Sequence, residues 1–381
     1  MMKIVNNVLE KVDNEDIVNG TVIIPDGTTS IGSAAFYDCS SLKEITIPEN
    51  VTSIGDVAFT NCSSLETIII PKSVTNIGEY VFYNCHSLKQ ITIPENVTSI
   101  GEGTFCNCSS LETIIIPESV TSISSVAFYC CSSLKSITIP ENVTSIGERT
   151  FYNCSSLETI IIPESVTSIS FAAFYGCSSL KEITIPENVT SIDTHVFYNC
   201  SSLETIIIPE NVTSISLSAF YGCISLKEIT ISENVTSIGE LTFGNCSSLE
   251  TIIIPKNIDS ISSVAFYGCS SLKEITIPEN VTSIGDAAFS DCFSLETIII
   301  PESVTSIGIH AFYCCHSLKC LITPYGKTQI SNGDYIIENY LYLYVNSILK
   351  DKYSSVDDFL NNNSINDIIT SDSICTQDAI L

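Results

Sequence analysis

Positive charge is scarce in this chain. Its 381 residues carry 15 lysines and arginines against 43 aspartates and glutamates, a formal net charge of −28 and a pI near 4.2. Such a surface repels a phosphate backbone, so no nucleic acid is expected as a partner, and cations or basic protein patches suit it better. Long hydrophobic runs are missing too. Apolar runs such as Ile160–Ile162 are far too short to cross a bilayer, so no membrane-spanning segment is expected. The N-terminus, MMKIVNNVLEKVDNED, has no apolar stretch of signal-peptide length, and neither end carries a lipidation motif. On that ground alone no export or anchor signal is expected, and the sequence reads as cytoplasmic. Histidine occurs four times, at His86, His195, His310 and His316. His86 and His316 directly follow a cysteine, yet sequence neighbours rarely face each other as nucleophile and base, and no third orienting group is present. No glycine-rich phosphate loop, G-x-S-x-G elbow or H-E-x-x-H stretch occurs. The reading is of a protein that is not an enzyme and holds no cofactor.

What the chain has is repetition. With 44% hydrophobic residues it is too apolar for a disordered chain. Cysteines recur from Cys39 to Cys315, phenylalanines from Phe36 to Phe312 and leucines from Leu42 to Leu318, always at a step of 23. Every proline falls in one column from Pro25 to Pro324, which only Ser232 breaks. A period this strict predicts a solenoid of stacked units, each too small to fold alone. In one unit, Leu157, Ile160 and Ile162 are expected to point inward from a short strand while Glu158, Thr159 and Ile161 point out. Pro163, with no N–H to donate, ends that strand. Val166 to Ile169 alternate as a second short strand, the S-x-x-A-F stretch reads as one helical turn with Phe174 inside, and Cys177 closes the coil.

The unit I-P-x-x-V-T-x-I-G-x-x-A-F-x-x-C-x-S-L-x-x-I resembles the BspA-type leucine-rich repeat. The likeness covers about Gly20 to Pro324 in consecutive copies. The resemblance implies a β-rich repeat solenoid with short helical turns and a parallel sheet on its concave face. It also implies non-enzymatic protein binding by a cell-surface or secreted protein, with adhesion to host matrix proteins or to other cells. An intracellular protein–protein interaction scaffold is the alternative, favoured by the missing signal peptide and by free thiols.

Three columns are candidates for chemistry. Strand position two alternates without exception, Lys43, Glu66, Lys89, Glu112, Lys135, Glu158, Lys181 and onward to Lys319, so each lysine is expected to meet a glutamate above and below. Three residues on, an outward position alternates threonine with Ile69, Ile115, Ile161, Ile207, Ile253 and Ile299. An exposed line of isoleucines exceeds what a bland surface carries and is the leading candidate for a protein-binding face, with plain β-propensity as its rival. The position after the proline column is acidic, among others at Asp26, Glu49, Glu95, Glu118, Glu164, Glu233 and Glu302, and is interrupted by Lys72 and Lys256. A solvated edge is the favoured reading of that column, with calcium bridging and a basic partner as alternatives. Thirteen of the eighteen cysteines form one straight column, which suits neither tetrahedral zinc nor complete pairing into disulfides, so a buried ladder of free thiols is expected; Cys106, Cys130, Cys314, Cys320 and Cys375 fall outside it without the paired spacing of a zinc site. Twelve glycosylation sequons inside the repeats, such as Asn50 and Asn153, read as turn-forming asparagines copied with the unit.

The expected organisation is an N-terminal cap over residues 1–19, thirteen coils over 20–324, and a C-terminal helical cap with a frayed tail over 325–381. In that last segment Asp334 is expected to start a helix striped by Ile337, Leu341, Tyr344 and Ile348, and Ser355 with Asp358 a second one.

Overall fold

The structure is a computed structural model and describes residues 2–301, 303–318, 320–322 and 329–330. The helices expected after residue 325 lie outside the described residues. Two compact units result, Met1–Leu203 and Glu204–Leu381, holding about thirteen turns of parallel β-solenoid in all.

The first unit opens with a hairpin, Lys3–Val5 paired antiparallel to Val8–Lys11. Asn6 and Asn7 sit at φ 50° and 62°, the left-handed pair that a two-residue hairpin turn requires. Val8–Lys11 then pairs in parallel with Ser30–Ile31, the first of the two-residue strands. From there each coil repeats one path. A three-residue strand such as Thr159–Ile161 runs to the proline, and the Val166 N–H donates back to the Pro163 carbonyl at 3.1 Å to close the turn. A two-residue strand such as Ser168–Ile169 follows. Both strands stack on their counterparts 23 residues away, with Ile137 on Ile160 and Ile146 on Ile169. The period of the sequence is therefore the register of the sheets.

The S-x-x-A-F stretch is not a helical turn. Its N–H groups alternate in direction. Those of Ala172, Phe174 and Gly176 donate to the carbonyls of Thr194, Val196 and Tyr198 in the next coil, at 3.0, 3.0 and 2.7 Å. Those of Ala173, Tyr175 and Cys177 turn back to Ser170, Ala172 and Phe174 in their own coil. Alternation of this kind needs left-handed backbone at Ala172 (φ 53°) and Gly176 (φ 70°). The stretch is a third ladder between coils, and it satisfies buried backbone groups that a single helical turn would leave open. The one helical segment among the described residues is the 3-10 turn Asn14–Asp16.

Inside, the phenylalanines of the first unit form one pile. Successive rings from Phe36 to Phe197 lie 4.6–5.7 Å apart and within 13° of parallel. Leucine, isoleucine and valine columns fill the rest, nearly all of them buried, with Ile70 and Ile116 half-buried.

The second unit repeats the architecture, from Thr205–Ile207 paired with Glu228–Thr230 to Thr297–Ile299 paired with Cys320–Ile322. Its rings from Phe220 to Phe312 stack at 5.3–5.7 Å. Ser232, the break in the proline column, keeps the turn. Its carbonyl accepts the Val235 N–H, and its hydroxyl oxygen accepts the Asn234 N–H at 3.1 Å.

Candidate binding face

The three-residue strands present the candidate face. Because strand side chains alternate, Ile160 is buried while Ile161 stands 63% exposed. In the first unit Ile69 and Ile115 are equally exposed, at 62% and 65%, with exposed Thr92 and Thr138 between. In the second, Ile207 and Ile253 are exposed at 69% and 78%. Ile299 belongs to its strand, but its side chain lies outside the described residues.

Beside the isoleucines run the charges. Lys89 pairs with Glu66 at 3.3 Å and Lys135 with Glu112 at 3.1 Å in the first unit. Lys227 pairs with Glu204 at 3.4 Å and Lys273 with Glu250 at 2.7 Å in the second. Each of these lysines reaches the glutamate of the coil before it. For Lys89, Lys135 and Lys227, no second ion pair to the glutamate of the following coil occurs among the described residues. Glu158 and Lys181 are exposed, and no ion pair joins them among the described residues. All four pairs are solvent-exposed, so each adds little to stability. Their effect is to neutralise the face locally in a strongly acidic chain.

The acidic column after the prolines serves the backbone. The carboxylates of Glu118, Glu164 and Glu233 accept the N–H of Glu141, Glu187 and Lys256 in the following coil, at 3.3, 3.1 and 3.0 Å. Next to it, Asn142 and Asn188 donate their side-chain amides to the Glu118 and Glu164 carbonyls. The sequon asparagines of this column are thus structural donors.

The thiol column has more structure than a filler. Cys154 donates Sγ–H to the Phe128 carbonyl at 3.1 Å, and Cys131 and Cys177 do the same to Phe105 and Phe151. Each such carbonyl also accepts the backbone N–H of the cysteine in its own coil. Both of its lone pairs are therefore used. Burial pushes these thiols up, Cys200 and Cys246 to about 12 and Cys154 further, so they are protonated at neutral pH. Among the described residues no three His, Cys, Asp or Glu side chains group as metal ligands, and no helix is long and apolar enough to cross a membrane.

One surface escaped the sequence reading. In the first unit Tyr129, Tyr152, Tyr175 and Tyr198 stack at 4.8, 4.4 and 4.6 Å, within 8° of parallel. Alongside, the guanidinium of Arg149 lies 4.8 Å over the Phe171 ring, and His195 meets Phe171 edge-on at 5.6 Å. Arg149 is the chain's only arginine. The signal was present in the unbroken run of tyrosine at four successive steps of 23.

Comparison with known proteins agrees with this architecture. The sequence profile of the BspA type leucine rich repeat region (6 copies) matches residues 16–134, 121–250 and 237–366. A leucine-rich repeat protein from Bacteroides ovatus is 33% identical with a TM-score of 0.63, over 85% of each chain. A leucine rich cell surface protein from Faecalibacterium prausnitzii is 33% identical with a TM-score of 0.54, over 88% of this chain and 96% of that one. A leucine-rich repeat protein from Eubacterium ventriosum is 26% identical with a TM-score of 0.52, over 86% and 91%. No curated protein sequence matches the chain. The chain belongs to the BspA-type leucine-rich repeat family.

Proposed function

We propose that this protein binds protein ligands at a cell surface, in adhesion or host contact, and does no chemistry on them. The observation that carries the reading is the exposed isoleucine column on a charge-neutralised sheet face. Isoleucines 62–78% exposed at regular intervals offer apolar area that folding leaves unused. The paired lysines and glutamates beside them add no net charge to the strip that carries the isoleucines, while the chain as a whole, at −28, favours a basic partner over an acidic one. The likeness to a cell surface protein supports the location. A host matrix protein or a basic partner is the ligand class that fits.

The test uses the full chain and a panel of purified matrix proteins. Wild type is expected to bind at least one. The triple variant Ile115→Thr, Ile161→Thr, Ile207→Thr, with an unchanged circular dichroism spectrum, is expected to bind at least tenfold more weakly. Undiminished binding by the triple variant removes the isoleucine face as the site. Labelling of intact cells with a membrane-impermeant reagent decides the location, and a chain labelled only after lysis favours an intracellular scaffold.

A further inference from the structure

Cys106, Cys130 and Cys314 are described thiols that stand outside the cysteine column. Two of them fall together. Cys106 stands where Tyr83 and Tyr129 stand in the coils on either side, and Cys130 where Asn107 and Asn153 stand. The Asn107 N–H donates to the Tyr129 carbonyl at 2.7 Å. That hydrogen bond joins the peptide group linking 106 to 107 with the one linking 129 to 130, so Cys106 and Cys130 flank it diagonally. A step of ~3.8 Å along the chain and ~4.8 Å between coils places their Cα atoms about 6 Å apart. A disulfide spans Cα separations of roughly 4.4–6.8 Å.

The surroundings of the two thiols differ from those of the column. Column thiols are buried and committed to phenylalanine carbonyls. Cys130 is half-buried at a left-handed turn (φ 57°), open to a small reagent, while Cys106 is buried just beneath the surface. Burial, and after it the neighbouring Cys130, pushes the Cys106 thiol up to about 12. Burial also raises Cys130, opposed by hydrogen bonds to the Asn153 and Tyr129 side chains. After burial, both thiols in turn raise the Tyr129 hydroxyl, which places the three groups within one another's electrostatic reach.

We propose that Cys106 and Cys130 form an oxidation-dependent disulfide that staples two adjacent coils, with hydrogen peroxide or another hydroperoxide as the oxidant. The Cys130 thiolate attacks a peroxide oxygen, the O–O bond breaks, and the departing hydroxide takes a proton to become water, leaving a sulfenic acid on Cys130. The Cys106 sulfur attacks the sulfenic sulfur, the S–O bond breaks, and the hydroxyl leaves as a second water with the Cys106 proton. Two thiols and one peroxide become one disulfide and two waters. Because the thiolates carry the reaction and both thiols are raised, the linkage forms faster at pH 9 than at pH 7.

The experiment treats the reduced full chain with hydrogen peroxide, alkylates the remaining thiols and reads the peptides by mass spectrometry. A peptide pair joined through Cys106 and Cys130, lighter by two hydrogens, is expected, with two fewer alkylated thiols per chain. Cys106→Tyr and Cys130→Asn each restore the residue of the neighbouring coils and are expected to keep the circular dichroism spectrum and lose the linked pair. Full alkylation of both cysteines after oxidation overturns the proposal. So does Cys130 oxidised without linkage to Cys106, or linkage within the column instead.

Discussion

The thiol ladder makes the fold vulnerable to alkali. In the first unit Cys62, Cys85, Cys108, Cys131, Cys154, Cys177 and Cys200 are fully buried, and burial raises every one of them above the ordinary value of 9.0. A thiol protonated in the fold but ionised in the open chain stabilises the fold in full below pH 9. It loses that contribution as pH rises towards its folded value. Each such thiol loses ~1.4 kcal/mol per pH unit in that window. If residues 1–203 unfold together, seven thiols give on the order of 10 kcal/mol per pH unit, comparable with the whole stability of a domain. If coils open one at a time, as solenoids permit, each opening coil feels ~1.4 kcal/mol per unit. Urea midpoints followed by circular dichroism from pH 7.5 to 10.5, under a phosphine reductant, are expected to hold level to about pH 8.5 and then fall steeply. Tyrosines and lysines begin to titrate at the top of that range, so the assignment rests on the triple variant Cys131→Ser, Cys154→Ser, Cys177→Ser. Serine keeps a donor for the phenylalanine carbonyls and does not titrate. The variant's alkaline slope is expected to be shallower by about 4 kcal/mol per pH unit for cooperative unfolding. A midpoint level to pH 10.5, or a slope the triple variant leaves unchanged, refutes the argument.

Further tests address single contacts. Cys154→Ala removes the Sγ donor to Phe128 and is expected to cost about 2 kcal/mol, half from the hydrogen bond and half from lost burial, while Cys154→Ser costs less. An alanine variant at least as stable as the serine variant in urea would reduce the thiol to a filler. Val126 holds φ 52°, a conformation unfavourable for a β-branched residue, so Val126→Asn is expected to raise stability by about 1 kcal/mol, and a lower melting temperature would count against strain there. The hydrogen bond from Lys273, and then its charge, holds the Glu250 carboxyl below its ordinary value, so the pair supports the fold above the usual carboxylate range and fades as pH falls through it. In Lys273→Met the Glu250 titration read by NMR is expected to move upward. A titration that stays in place means the ion pair is absent in solution.

The strands, the register and the inward columns were legible because identical residues at a fixed step can stack in only one way. Leu157, Ile160 and Ile161 took their faces from plain alternation. The turn ribbon was misread for a specific reason. One of its two left-handed columns does carry a signature, with Asn61, Asn84, Asn107, Asn153, Gly176 and Asn199, broken over that stretch by Cys130 alone. The other holds Ala34, Val57, Tyr80 and Arg149 at φ 50–57°, residues that advertise nothing. There the hydrogen bonds to the next coil, such as Arg149 N–H to the Phe171 carbonyl at 2.9 Å, impose the backbone conformation against local preference. Of the candidate face, the exposure of Ile69, Ile115 and Ile161 followed from the pattern. The side to which each lysine leans did not, because rotamer choice on an exposed stem leaves no trace in a repeat.

Repetition also limits what the face can recognise. Ile69, Ile115 and Ile161 stand 46 residues apart on nearly identical two-coil blocks, so a partner sliding by one block meets the same chemistry. Such a face gains strength by adding weak equivalent contacts and tolerates several registers. If the face binds as proposed, it suits an extended or repetitive ligand better than one folded epitope. Selection needs residues that occur once. In the first unit Arg149, Phe171 and His195 are among these, beside the tyrosine stack, where the repeat consensus gives way to an arginine and aromatic rings. The division follows from the physics of the solenoid. The columns that hold coils in register must be copied to work, so the capacity to discriminate is confined to the few positions where copying failed without cost to the ladders.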